Sequence, residues 1–184
     1  MTIEKDGKAT QIDCDVCLVA VGFKPNSAGL GLEGIGVALD KRGHLLTDDQ
    51  LQTNVKGVYA IGDVAGVPYL AHKASKEGEI AAEVIAGHKA ARDWRAMPAA
   101  TFTHPEIANV GLSEREAKAK GLDVVVGKFP FAASGRAMAV SETDGFVKVI
   151  AEKTGPGLKD RKIVGVHVVG PDASGLIAEA TLAL

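Results

Sequence analysis

Three stretches of this chain hold residue types that could do redox or nucleotide chemistry. Cys14 and Cys17 form C-x-x-C in IDCDVCLVAVG. That spacing supports thiol exchange when a helix start stabilises the thiolate, or half a zinc site when a second pair completes it. Residues 29–34, GLGLEG, match G-x-G-x-x-G, with Asp48 and Asp49 where a dinucleotide fold places its ribose-binding acid. In TNVKGVYAIGDV, residues 53–64, an apolar run stops at Gly62-Asp63. A carboxylate at the carboxyl end of a buried strand lies where open α/β sheets bind ligands, and it could accept hydrogen bonds from ligand hydroxyls. The plainer alternative is that Asp63 caps a turn.

The surrounding elements decide among these readings. Residues 16–22, VCLVAVG, form a continuous apolar run, as expected of a parallel strand covered on both faces. Cys14 and Cys17 then fall in or beside a buried strand, where residues three apart point to opposite faces and cannot readily pair. No second C-x-x-C is present, so both cysteines read as structural. GLGLEG fails as a fingerprint. Six residues, including Pro25, separate Gly22 from Gly29, and IGVALDKRG stands where a helix should begin. It reads as a surface loop leading into IGVAL.

The remaining chain alternates clear elements and turns. The first thirteen residues predict a hairpin around KDGK. IGVAL and HLLT read as two strands about the turn DKRG, and GVYAIGD as a short buried strand. AHKASKEGEIAAEVIAGH predicts a helix whose small residues Ala71, Ala74, Gly78, Ala81 and Ala82, with Ile85, recur at helical spacing to pack on a sheet, ending near Gly87. Composition shifts around RDWRAMPAA, a domain boundary. Beyond it come the short strands of TFTHPEIANVGLS and a helix opened by the capping box Ser113/Glu116 and closed by Gly121. Strands in DVVVGKFPF, GFVKVIAE and KIVGVHVVG come next, the last two antiparallel across KTGPGLKDR. A final helix starts at DASG and runs into Leu184 without a cap, which implies truncation.

Composition narrows the function classes. The 184 residues are 46% hydrophobic with a net charge of −2. That balance gives no electrostatic case for nucleic acid or an acidic membrane as partner. No apolar run reaches about 18 residues, and MTIEKDGK lacks the apolar centre of a signal peptide. A cytoplasmic location is expected.

T-N-V-x-G-V-Y-A-I-G-D resembles the second flavin-binding motif of the FAD-dependent pyridine nucleotide–disulfide oxidoreductases. YLAHKASKEG, FTHPEIANVGLSEREAKAKG, FPFAASGRAMA and VCLVAVGFKPN are similar to further segments of that family, in order, although the family often has Arg where this chain has Phe23. The resemblance implies an α/β plus α+β fold: part of a doubly wound FAD/NAD-binding fold followed by a truncated interface domain. It implies residues 1–22 as the end of an NAD-binding domain, 23–97 as the returning segment of the FAD-binding domain, and 98–184 as the dimerisation domain. FAD and NAD are the implied cofactors. Asp63 would hold the ribityl chain, Tyr69, Leu70, Ala71 and His72 would face the flavin chiefly through backbone, and Gly22 would approach the nicotinamide. His44, His88, His104 and His167 read as structural.

LAHKA and AASGRA point to the branch that passes electrons from dihydrolipoamide through a disulfide and FAD to NAD. A homodimer and lipoyl-bearing 2-oxoacid dehydrogenase complexes are the implied partners. The family's redox cysteines and pyrophosphate fingerprints lie upstream of the matching region and its acid–base histidine downstream. The resemblance therefore assigns no catalytic residue here, and the isolated chain is expected to be inactive. Mercuric or glutathione reductase, and a non-catalytic dimerisation module, are the alternatives.

Overall fold

The computed structural model describes all of residues 1–184. It opens on the expected hairpin, β1 (Thr2–Lys5) against β2 (Lys8–Gln11), turning through Asp6 and Gly7 at positive φ. The next segment departs from expectation. Residues 16–22 form no ladder, and Leu18 and Val21 are 88% and 93% exposed. A parallel strand draws every hydrogen bond and both covering faces from neighbours, and no strand of this chain lies alongside it. Cys14 and Cys17 are consequently exposed free thiols rather than buried ones.

Residues 29–36 confirm the loop reading of GLGLEG. A single 3-10 turn, Leu32–Ile35, is flanked by left-handed Gly31 and Gly36. The strands expected in IGVAL, HLLT and GVYAIGD shrink to two isolated antiparallel bridges, Leu39 to Leu45 and Gln52 to Tyr59. A small cluster of Val37, Leu45 and Ala60 holds these turns together. Helix α1 (Ala71–Ile85) comes next, with left-handed Gly87 just beyond its end. Its buried face matches the predicted stripe only in part, with Ala81 buried and Ala74 and Gly78 half-buried. Lys73, Glu77, Ile80 and Ala81 are buried, whereas Ala71 and Ala82 are exposed and Ile85 is 65% exposed.

The second half is organised by a five-stranded antiparallel sheet, ordered β3-β4-β7-β6-β5. These strands are β3 (Ala99–Thr101), β4 (Glu106–Gly111), β5 (Val124–Pro130), β6 (Phe146–Lys153) and β7 (Arg161–Gly170). Helices α2 (Glu114–Ala119), α3 (Gly135–Ala139) and α4 (Ala173–Ala183) complete it. The sequence gives no periodic apolar signal for α3 or the turn before it, in FAASGRAMA. One face of β4 and β7 meets α4 around Ala108, Val110, Val166, Val168, Ala173 and Ile177. The register of β6 on β7 shifts between Ile150 and Ala151. There the Leu112 N–H donates to the Val164 carbonyl at 2.7 Å. Gly165 lies so close to this crossing that a Cβ on it would stand 1.9 Å from the Leu112 oxygen.

Two of the three helix starts in this half, those of α2 and α4, are met by carboxylates, and Ser134 Oγ caps α3 by accepting from the Ala137 N–H. In α2 the capping box is complete: Ser113 Oγ accepts from the Glu116 N–H, and Glu116 Oε2 accepts from the Ser113 N–H at 2.8 Å. α4 has no cap from its own Asp172. Glu106 on β4 reaches across instead, accepting from the Ser174 N–H at 2.9 Å. These hydrogen bonds favour the ionised acids and hold the Glu106 and Glu116 carboxyls below their ordinary 4.5.

Ser113→Ala should cost about 1 kcal/mol in urea unfolding. Gly165→Ala should cost about 3 kcal/mol or more, because backbone rather than a flexible side chain must move. Acid should also destabilise the fold. The unfolded carboxyls take up protons near pH 4.5, before the folded ones do, so their stabilisation is full above that pH and lost as pH falls through the lowered folded values. Urea midpoints recorded from pH 6 down to 3 should fall in wild type and fall less steeply in Glu106→Gln.

Candidate functional site

Asp63 lies on a 3-10 turn, Gly62–Ala65, entered from extended Ile61. Gly62 has φ of +71°, and a Cβ there would sit 3.1 Å from the Ala74 Cβ. Glycine therefore lets the turn lie directly on α1. The Asp63 side chain is exposed, and no protein group donates to its carboxylate. It caps nothing, so an acceptor is left free at the surface.

Two buried charges on α1 hold that turn. Lys73 Nζ donates to the Gly62 and Gly66 carbonyls, each at 3.0 Å, bracketing Asp63 on both sides. Glu77 Oε2 accepts from the Gly62 N–H at 2.7 Å and from Lys73 Nζ at 3.2 Å. The Lys73 and Glu77 side chains are 4% and 0% exposed. The second Glu77 oxygen, Oε1, lies 4.0 Å from Arg92 Nε, and both atoms are buried without a hydrogen-bond partner. Arg92 is otherwise engaged with the preceding turn. It donates through Nη2 to the Asp48 carbonyl at 3.0 Å and to the Thr47 hydroxyl, and through its main-chain N–H to Asp49.

The other expected contacts line up at the start of the same helix. Leu70 is the N-cap residue in extended conformation, and α1 has neither a side-chain cap nor an acid in its first turn. The amides of Ala71 and His72 therefore stand at an open, partially positive helix end. The His72 ring does not point to a free site: its Nε2 donates to the Pro98 carbonyl at 2.7 Å. Gly22 has φ of +119° and open space where a Cβ would be. It shares with Tyr69 a cleft of about 540 Å³ that also includes Phe23, Lys24, Lys41 and Arg42. Asp63 is outside that cleft, so the expected contacts form two neighbouring groups joined by Tyr69–His72.

Sequence reasoning missed Lys73, Glu77 and Arg92. The four-residue spacing of Lys73 and Glu77 advertises a helix ion pair, but such pairs usually lie on solvated faces. The structural reading of His44 did not reveal its partners. In the structure His44 is buried, with Nδ1 2.8 Å from Asp40 Oδ2 and Nε2 2.7 Å from the Tyr69 hydroxyl. His167 reaches the Leu112 carbonyl at 3.1 Å and His88 contacts Glu83, so neither serves a site.

A free carboxylate on a glycine-lined turn beside an open helix end suits a polyhydroxylated, electron-rich ligand. Residues 2–78 match the family model described as pyridine nucleotide-disulphide oxidoreductase. Residues 97–184 match the dimerisation domain of the same family. Over its whole length the chain is 48% identical to dihydrolipoyl dehydrogenase of Geobacillus stearothermophilus, covering 38% of that protein. Over 98% of its length it is 51% identical to dihydrolipoyl dehydrogenase of Halobacterium salinarum, covering 37% of it. Among solved structures, the HOCl-induced flavoprotein disulfide reductase RclA of Escherichia coli superposes with a TM-score of 0.84 at 25% identity, over 98% of this chain and 40% of that one. LpdA of Mycobacterium tuberculosis gives 0.76 at 32% identity, over 87% and 34%. The chain thus spans 38% or less of the length of these curated relatives. With both halves matched, the chain belongs to the pyridine nucleotide–disulphide oxidoreductase family.

Proposed function

We propose that the chain works within a flavoprotein that oxidises dihydrolipoamide through a redox disulfide and FAD to reduce NAD. It contributes one wall of the flavin site and the dimerisation domain, and no catalytic residue. Residues 1–22 serve as the end of the NAD-binding domain, 23–97 as the returning FAD-binding segment, and 98–184 as the surface for a homodimer. Lipoyl-bearing 2-oxoacid dehydrogenase complexes are its partners, in the cytoplasm. High identity to dihydrolipoyl dehydrogenases supports the choice of branch.

The observation that carries this reading is the unpartnered Asp63 carboxylate on a turn locked by the buried Lys73–Glu77 pair. Bound FAD supplies the two-electron relay between dithiol and nicotinamide. The residues of this chain hold and orient it. Asp63 accepts from ribityl hydroxyls, a charge-assisted hydrogen bond. The first-turn amides of α1 favour electron density on the ring, because they are prealigned and need no reorganisation. Lys73 and Glu77 touch no ligand; they fix the path of Gly62 and Gly66 so that Asp63 is already in place.

Two substitutions separate contact from support, measured in the full-length flavoenzyme containing these residues. Asp63→Ala should weaken FAD retention about tenfold or more, with little change in the melting temperature of the apoprotein. Flavin content unchanged after gel filtration would refute the assignment. Glu77→Ala leaves the Lys73 ammonium buried and unpaired, so it should lower apoprotein stability by about 3–5 kcal/mol as well as loosening FAD.

A further inference from the structure

Glu77 commits only one of its two oxygens to the turn that carries Asp63. Oε2 accepts from the Gly62 N–H at 2.7 Å and from Lys73 Nζ at 3.2 Å. Oε1 has no hydrogen-bond partner, although the side chain is fully buried. A buried carboxylate oxygen without a donor is destabilising unless a positive charge stands near it. The cation that does so is Arg92, whose Nε lies 4.0 Å away and is itself buried without an acceptor. That separation is too long for a hydrogen bond and leaves a direct ion pair. Lys73 and Arg92 thus hold one carboxylate, each from its own oxygen.

The guanidinium reaches the same turn by a second route. Arg92 Nη2 donates to the Asp48 carbonyl at 3.0 Å and to the Thr47 hydroxyl, and its main-chain N–H donates to the Asp49 carbonyl at 2.8 Å. The segment so gripped is itself well fixed. Asp48 Oδ1 accepts from the Gln50 and Gln52 N–H groups at 2.9 and 3.0 Å, and Leu51, at φ of +66°, is fully buried. It is bridged in turn to the chain that leads into Gly62. Gln52 pairs with Tyr59, and the Ala60 N–H donates to the Leu51 carbonyl at 3.1 Å. One guanidinium therefore meets the helix that supports Gly62, through Glu77, and the chain that enters the turn, through Leu51 and Ala60. A lysine ammonium, a single point of charge, could not serve both at once.

We propose that Arg92 is a positioning residue for the flavin: touching no ligand, it fixes the rotation of the Glu77 carboxylate and the approach of Ala60, and so sets where Asp63 presents its own carboxylate. This rests on the proposed role of Asp63 as the ribityl acceptor. With Oε1 held, the Glu77 carboxylate cannot turn about its last bond and exchange its oxygens, so the Gly62 N–H keeps one partner in one place. Without Arg92 nothing opposes that rotation at Oε1. The turn then gains freedom, and ligand binding must restore the lost order.

The test is a double-mutant cycle on FAD dissociation from the full-length flavoenzyme containing these residues, with apoprotein melting followed alongside. Arg92→Gln should weaken FAD binding about fivefold when Asp63 is present. Arg92→Lys, which keeps the charge and gives up the clasp on Thr47 and Asp48, should lie between Arg92→Gln and wild type. In an Asp63→Ala background no carboxylate remains to be placed, and Arg92→Gln should weaken binding less than about twofold. A general loss of stability would instead lower FAD affinity by the same factor in both backgrounds. Equal losses in the two backgrounds, or wild-type FAD affinity in Arg92→Gln, overturn this proposal and leave the flavoenzyme reading standing. If Arg92→Gln does not fold, the same cycle with Arg92→Lys decides by the same comparison. Asp63→Ala that holds FAD as tightly as wild type overturns the ribityl assignment itself, and this proposal with it.

Discussion

The first half of this molecule depends on one buried ion pair. Lys73 and Glu77 are both withdrawn from water, at a cost of several kcal/mol per charge that their mutual attraction alone does not offset. The deficit is met by hydrogen bonds to main-chain groups that would otherwise be unsatisfied: the Gly62 N–H and the Gly62 and Gly66 carbonyls. A turn with little regular structure thereby acquires a fixed shape. The same pair joins the turn to α1, so the free carboxylate of Asp63 and the open end of the helix are set by one interaction. Removing either charge would strand the other, which gives the arrangement its rigidity.

Arg92 extends this logic beyond the helix. Its guanidinium approaches the second Glu77 oxygen and clasps the turn at Thr47 and Asp48, while Trp94 packs nearby on the cluster of Leu51, Ile80 and Ala81. The irregular stretch after α1 is therefore tied back onto the turn at Thr47 and Asp48. His72 makes the next link, from the start of α1 to the Pro98 carbonyl at the edge of the sheet domain. A polar path thus connects the proposed flavin-facing turn to the unit that carries the dimerisation domain. In that unit the same device recurs at lower cost: Glu106 on β4 caps α4, a carboxylate supplied across the sheet where the helix's own Asp172 does not serve.

Several features were legible because they depend on near neighbours in the chain. The Ser113/Glu116 box, the left-handed turn at Gly7, and the β-branched runs of β5, β6 and β7 each carry their cause within a few residues. The failure of GLGLEG as a fingerprint was also readable, since the glycine-interrupted IGVALDKRG cannot supply the helix that a pyrophosphate site requires. The covered strand at residues 16–22 was misjudged for the opposite reason. Apolarity shows what a segment would bury, not whether neighbouring strands lie beside it, and here Val21 stays exposed.

The order of residues alone settled the kinds of group available: a carboxylate after a glycine, a helix beyond it, and a strand-rich second half beyond RDWRAMPAA. It could not settle which side of α1 faces inward. Small residues marked one stripe, but burial depends on the free energy of all the groups that meet. Lys73 and Glu77 joined the inward face only once carbonyls seven and eleven residues from Lys73 and an amide fifteen residues from Glu77 stood within reach. His44 and Tyr69 show the same dependence across twenty-five residues. Local sequence fixes propensities and inventories, whereas the satisfaction of a buried charge is a property of atoms brought together from distant parts of the chain. Tertiary structure alone could decide it.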